Sequence, residues 1–242
     1  MGARGTSAKS KQSNDTPKSK LDAYRAMSTS EASAYVDGIK KTNKAGLNNN
    51  SRFQGLTDQL DMHGKPVVVD DATFDKEFAT KGLDGVEIHR GIGYQTDSDV
   101  IDSIKFGDLS YMGDGYHGDG IYFTTRKSYA KYYTEDPYSS KNNYGDPKYS
   151  TFTAYIDKTK ANAVAEDVIS KQLMNEPSSV RSGFLSMGNG GISAYALHKG
   201  YNVIYCAGGN YPSMGKNNKN CGDFYVVLDR SVLVIRDNTK IK

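Results

Sequence analysis

Tryptophan is absent from this chain of 242 residues, which has only two cysteines and no long apolar run. Without about 20 consecutive apolar residues no segment is expected to cross a bilayer, and the N-terminus lacks the apolar core of a secretory signal. Cys206 and Cys221 are too few for a disulfide framework and badly spaced for zinc. We expect reduced thiols, although one bridge between the two cysteines is left open. His117 and His198 are too isolated to predict a metal site.

Tyrosine and glycine are plentiful instead, with 18 and 25 residues, and hydrophobic residues make up 37% of the chain. This composition is typical of a soluble protein that contains a sheet and many glycine turns. The length suffices for one sizeable core.

Positive charge is concentrated at the N-terminus. Residues 1–20 hold five basic residues against one acidic residue, a net charge of +4, so the other 222 residues sum to −1 out of a total of +3. A nearly neutral globular part argues against a broad phosphate-binding face. Residues 1–20 have almost nothing apolar to bury, which predicts a disordered basic leader.

Residues 21–242 are expected to form a single domain, with a helical part over 21–82 and a β-rich part over 83–242. A helix is predicted over 21–41, with a capping box at Ser28 and Glu31. Further helices are predicted around 53–60, 71–82, 96–104, 127–133 and 192–199. Strands are predicted at 67–69, 86–90, 121–123, 151–156, 202–205, 224–228 and 232–235. Helices that precede strands, without regular alternation, indicate an α+β fold.

One motif combines a glycine turn with an aromatic residue. The run Tyr-His-Gly-Asp-Gly-Ile-Tyr-Phe occupies 116–123, and its glycines allow a sharp turn and close approach of the backbone. Tyr122 then stands on a predicted strand, where its ring can stack on a flat ligand. An ordinary hairpin with Tyr122 in the core is the alternative.

Three motifs in order resemble the ADP-ribosyltransferases. They are Glu-Ile-His-Arg-Gly at 87–91, Gly-Asp-Gly-Ile-Tyr-Phe at 118–123 and Gly-Asp-Phe-Tyr-Val-Val-Leu-Asp at 222–229. The middle motif is similar to a segment of the poly(ADP-ribose) polymerases, and the first to the Arg-Gly strand of bacterial mono-ADP-ribosyltransferase toxins. The leader and residues 53–57, 64–69 and 227–231 also resemble virion-associated proteins of this type from tailed bacteriophages.

The resemblance implies a split antiparallel β-sheet with N-terminal helices and a cleft that binds NAD⁺ as co-substrate. It implies a phage mono-ADP-ribosyltransferase, found in the virion or the host bacterial cytoplasm, that transfers ADP-ribose to a host macromolecule. The implied catalytic residues are Arg90, Tyr122 and Asp223. The implied NAD⁺-binding residues are His89, Arg90, Gly91, Gly120, Tyr122, Thr124, Thr125 and Ser128.

The chemistry of NAD⁺ cleavage calls for the same residue types. Loss of nicotinamide passes through a ribosyl cation, so the site needs a stacking surface, a cation for the pyrophosphate and a carboxylate near the developing charge. Arg90 can contact phosphate or ribose through two N–H groups. Because adjacent strand residues face opposite sides, only one of His89 and Arg90 is expected to enter the cleft, and we choose Arg90.

Several alternatives stay open. The family acid is normally glutamate, whereas Asp223 is one methylene shorter, and Glu87 is a second candidate. Thr124 and Thr125 can steady the acid or simply be structural. NAD glycohydrolase activity, or a silent virion or nucleic-acid-binding protein on the same fold, are the rival functions.

Two segments are the predicted contacts with partners. The loop at 207–220, just before the acid, is expected to recognise a host protein or RNA. The basic leader at 1–20 is a candidate for contact with capsid or nucleic acid. No membrane partner is expected.

Overall fold

The computed structural model describes residues 19–42, 51–62, 64–80, 85–92, 104–105, 118–132, 150–207 and 222–236. Several sequence-based predictions lie outside these residues: most of the leader, the helix over 96–104 except its last residue, the loop at 207–220 except its first residue, His117 and Cys221.

The N-terminal helical segment is two helices, α1 (Lys20–Ala26) and α2 (Thr29–Thr42), where the sequence predicted one. The predicted capping box is confirmed. The Ser28 N–H donates to Glu31 Oε2 at 2.8 Å, and the Glu31 N–H donates to Ser28 Oγ at 3.3 Å. Because these bonds satisfy the first amides of a new helix, they mark the break between α1 and α2. Lys20, assigned to the leader, belongs to α1.

The other helices are α3 (Ser51–Gln59), α4 (Asp71–Thr80), α5 (Lys127–Tyr132), α6 (Glu166–Asn175), α7 (Ser178–Leu185), α8 (Gly190–His198) and a 3₁₀ turn at Arg230–Val232. The helix predicted from residue 71 is capped by Asp70, since its Oδ1 accepts a hydrogen bond from the Thr73 N–H at 2.7 Å.

Helices α6 and α7 and a short strand before them were not predicted. Their sequence lacks the usual start signal, because Ala165 and Pro177, at the two N-caps, make no side-chain capping bond. The expected order of helices first and strands later is therefore incomplete, since α5, α6, α7 and α8 all lie between strands of the β-rich part.

Within the described part of the chain, eight strands form one sheet: β1 (Val67–Val69), β2 (Gly85–Ile92), β3 (Ile121–Thr124), β4 (Ser150–Asp157), β5 (Ala163–Ala165), β6 (Val203–Cys206), β7 (Phe224–Val227) and β8 (Leu233–Arg236). Their order is β1-β8-β4-β2-β3-β7-β6-β5. The five central pairings are antiparallel, as predicted, whereas β1 with β8 and β5 with β6 are parallel. The fold is thus a mixed sheet combined with helices.

The sheet is nearly divided between β2 and β3. Strand β2 pairs with β4 over eight residues and β3 pairs with β7 over four, but β2 and β3 share only the pair His89 and Thr124. Two four-stranded halves therefore meet at one residue pair.

The N-terminal helices pack against the later helices to form one core with the sheet. The Tyr24 hydroxyl donates to the Ala194 carbonyl at 3.0 Å, and the Ser33 hydroxyl donates to the Val180 carbonyl. Among the described residues, no helix is both long and apolar enough to cross a membrane.

Candidate functional site

The three motifs lie on three neighbouring strands. Residues 87–91 belong to β2, residues 118–123 lead into β3, and residues 222–229 contain β7, in the sheet order β2-β3-β7. Strand β7 therefore lies beside β3, next to the junction between the two halves of the sheet, although Thr124 and its partner Phe224 are 100 residues apart in sequence.

The strand register decides which side chains share a face. Opposed residues of an antiparallel pair share a face, and successive residues alternate. Because His89 is opposite Thr124, it lies on the face that carries Tyr122, which we call the Tyr122 face. Arg90 lies on the opposite face together with Phe123 and its partner Tyr225, which we call the Tyr225 face.

Arg90 contacts the middle motif through the backbone. Its Nη1 donates to the carbonyl oxygen of Tyr122 at 3.5 Å. Burial lowers the pKa of Arg90 to about 10, so the guanidinium remains charged near neutral pH. The Arg90 and Tyr122 side chains nevertheless point to opposite faces. Of the two alternatives considered from the sequence, His89 is the one on the Tyr122 face.

His89 is buried in a polar network on β2 and β4. Its Nδ1 lies 2.9 Å from Thr153 Oγ1 and its Nε2 lies 3.3 Å from Glu87 Oε1. Burial lowers the pKa of His89 more than the nearby Glu87 carboxylate raises it. Glu87 also accepts a hydrogen bond from the Tyr155 hydroxyl at 2.8 Å. These contacts join β2 to β4, and binding of NAD⁺ by His89 stays a prediction.

Tyr122 is folded back on its own glycine turn. Its hydroxyl donates to the Gly118 carbonyl and its ring packs against the core. A Cβ at Gly120 would lie 2.6 Å from Val226 Cγ1, and one at Gly118 would clash with the Ser193 hydroxyl. The two glycines thus allow close packing of the chain against β7 and α8. Contact of Gly120 with NAD⁺ stays a prediction.

Asp223 is held beside the end of β3. Its N–H donates to Thr125 Oγ1 at 3.0 Å, and its carbonyl accepts from the Thr125 N–H at 2.9 Å. Burial, together with the charge of Asp223 and a hydrogen bond to it, raises the pKa of Tyr205. Burial also raises the pKa of Tyr225 to about 12, with smaller contributions from Tyr205 and Asp223. Asp223 therefore lies on the Tyr225 face, and the structure does not bring it together with the Tyr122 ring.

The hydroxyls that follow Tyr122 stabilise the turn from β3 into α5. Thr124 Oγ1 accepts from the Arg126 N–H at 3.1 Å, and Ser128 Oγ accepts from Arg126 Nε at 3.0 Å. These bonds favour the structural alternative for Thr124.

Gly91 lies on β2, opposite Thr151.

Sequence reasoning missed Tyr205 and Tyr225. The signal was available, because alternation along the strand already places Tyr225 on the same side as Asp223. Within the described residues no group of three His, Cys, Asp or Glu side chains could hold a metal. Cys206 is a free, buried thiol, and burial raises its pKa to about 12.

No protein-family model, curated protein or solved structure matches this chain. Its functional assignment therefore depends on the three motifs and on the geometry of the strands that hold them.

Proposed function

We propose that this chain is a mono-ADP-ribosyltransferase that uses NAD⁺, built on the split-sheet fold of that superfamily. Its main support is that the three motifs of the resemblance lie on the adjacent strands β2, β3 and β7. The single residue pair that joins β2 to β3 agrees with a sheet divided at this point.

The reaction breaks the bond between the ribose carbon and the nicotinamide nitrogen, and nicotinamide leaves with the bonding electrons. A positive charge develops on the ribose, and a carboxylate beside it stabilises the transition state. Asp223 is the proposed carboxylate and Arg90 the proposed cation for the pyrophosphate. A nucleophile on the target then attacks the ribose carbon and loses its proton.

The target and setting follow from the resemblance. The protein would act on a host protein or RNA in the bacterial cytoplasm after delivery by, or expression from, a phage. Target recognition by the loop at 207–220 and contact of the leader with capsid or nucleic acid remain predictions on segments almost wholly outside the described residues.

The experiment is transfer of label from adenine-labelled NAD⁺ to bacterial lysate, with Asp223→Ala as the matched control. Labelled macromolecules with the intact chain, and none with the variant, support the transferase. Free ADP-ribose without lysate identifies an NAD glycohydrolase. Label transfer that is equal in the variant removes Asp223 from the mechanism.

A second candidate is a catalytically silent protein that binds NAD⁺. It is favoured by the hydrogen bond between the Asp223 carboxylate and Tyr205, which engages a side chain already shorter than the usual glutamate. Calorimetric binding of NAD⁺ without release of nicotinamide, with or without lysate, would identify this function.

A further inference from the structure

Two tyrosines lie beside the proposed acid. Tyr205 on β6 is directly opposite Tyr225 on β7, and their ring centroids are 5.2 Å apart at an interplanar angle of 49°. Both side chains are half-buried, and Tyr205 is hydrogen-bonded to Asp223. The acid therefore has aromatic surface next to it.

The strand register extends this cluster toward Arg90. Tyr225 is opposite Phe123 on β3, and Phe123 lies next to Thr124, the partner of His89. One step further along β2 from His89 is Arg90. Arg90 and Tyr225 therefore lie on one face, two strands apart, with the buried Phe123 on the strand between them.

The Tyr122 ring is badly placed to serve the same ligand. It lies on the opposite face, and its hydroxyl is bonded to the Gly118 carbonyl. A ring stacked on Tyr122 would have the sheet between itself and the Asp223 carboxylate.

We propose that the nicotinamide ring of NAD⁺ stacks on Tyr225 and Tyr205, with Asp223 beside the ribose and Arg90 near the pyrophosphate. This inference rests on the proposed function and replaces Tyr122 as the stacking residue. The nicotinamide ring of NAD⁺ is cationic, so it is attracted both by the negative faces of tyrosine rings and by a neighbouring carboxylate. The neutral adenine ring lacks that attraction.

The test is calorimetric titration with NAD⁺ and, separately, with ADP-ribose, which lacks nicotinamide. We expect Tyr225→Leu to weaken NAD⁺ binding roughly 5- to 100-fold, the effect of losing one stacked ring, and to leave ADP-ribose binding unchanged. Tyr225→Phe keeps the ring and should bind NAD⁺ within about twofold of the intact chain. Tyr201→Leu, at a half-buried tyrosine before β6, is the matched control.

Several results would overturn the inference. Unchanged NAD⁺ binding in Tyr225→Leu does so, as does equal weakening for NAD⁺ and ADP-ribose, which would place adenine on the ring. NAD⁺ binding that is weakened only by Tyr122→Leu overturns this inference and leaves the proposed function standing. A chain that does not bind NAD⁺ at all overturns both.

A measurement on the intact chain covers the case in which Tyr225→Leu does not fold. Tyrosine ring resonances are recorded by NMR and assigned with Tyr205→Phe and Tyr225→Phe. NAD⁺ should shift the Tyr205 and Tyr225 signals, whereas ADP-ribose should not. Signals that stay in place at saturating NAD⁺ contradict the inference.

Discussion

Thr125 and Asp223 are joined by two hydrogen bonds that run in opposite directions. The Thr125 N–H donates to the Asp223 carbonyl at 2.9 Å, and the Asp223 N–H donates to Thr125 Oγ1 at 3.0 Å. Gly222, the residue before Asp223, has a φ of +74°, and a Cβ at this position would lie 2.8 Å from Thr125 Oγ1. The end of β3 therefore fixes the backbone from which the proposed acid projects.

Replacing Thr125 should loosen this arrangement. Thr125→Val removes the acceptor for the Asp223 N–H, and we expect a loss of about 1 kcal/mol in the free energy of unfolding. Turnover of NAD⁺ should fall as well, because the acid is less well positioned. Thr125→Ser retains the hydroxyl and should preserve both. Urea unfolding and assays of nicotinamide release measure the two effects, and equal behaviour of the Val and Ser variants would contradict the prediction.

The length of the acid gives a second prediction. Asp223→Asn removes the negative charge at nearly constant shape, so nicotinamide release should fall about 100- to 1000-fold, the usual cost of losing one group that stabilises developing charge. Asp223→Glu restores the methylene that the aspartate lacks and should turn over at least as fast as the intact chain. Release is followed by chromatography. An Asn variant with full activity would exclude Asp223 as the acid.

Much of the fold could be predicted because its signals are local. The capping box at Ser28 and the glycine turn at Gly118 each depend on residues close in sequence, and both were found. Helix α6 was missed because it begins without a side-chain cap.

The candidate site depends on long-range pairing. The single pair of His89 with Thr124 decides which residue of β2 shares a face of the sheet with Tyr122. A shift of the register by one residue would place Arg90 on that face instead. The partnership of Tyr205 with Asp223 likewise joins β6 to the residue that precedes β7. Sequence patterns therefore identified the three strands of the site but not the faces that their side chains share.

Acid should destabilise the fold through His89. Its pKa in the folded protein is below the ordinary value because the ring is buried. The unfolded chain therefore binds a proton at a higher pH than the folded chain. The stabilisation from neutral His89 is complete above about pH 6.5 and is lost as the pH falls toward the folded pKa.

The measurement is urea unfolding at about pH 7.5 and about pH 5.5, on either side of the ordinary histidine pKa. His89→Asn should lose less stability over this range than the intact chain. Burial also lowers the pKa of His198, so part of the pH dependence should persist until that residue is replaced too. If the pH dependence stays the same in His89→Asn and in a variant with both histidines replaced, the assignment of the pH dependence to these two residues is contradicted.

Helix packing at Gly183 gives the last prediction. This residue of α7 lies against Ser33 of α2, and a Cβ at Gly183 would lie 2.6 Å from the Ser33 carbonyl oxygen. A backbone carbonyl cannot move aside as a flexible side chain can, so Gly183→Ala should force the two helices apart. We expect a loss of roughly 1–3 kcal/mol in the free energy of unfolding.

Gly38 is the matched control on α2 itself. A Cβ there meets no atom within 4 Å, and alanine in a helix is better than glycine by about 0.8–1 kcal/mol. Gly38→Ala should therefore stabilise the protein while Gly183→Ala destabilises it, although both make the same chemical change. Chemical unfolding of the two variants gives the comparison. A Gly183→Ala protein as stable as Gly38→Ala would mean that α2 and α7 do not pack as closely as described, because only close contact makes the two glycines differ.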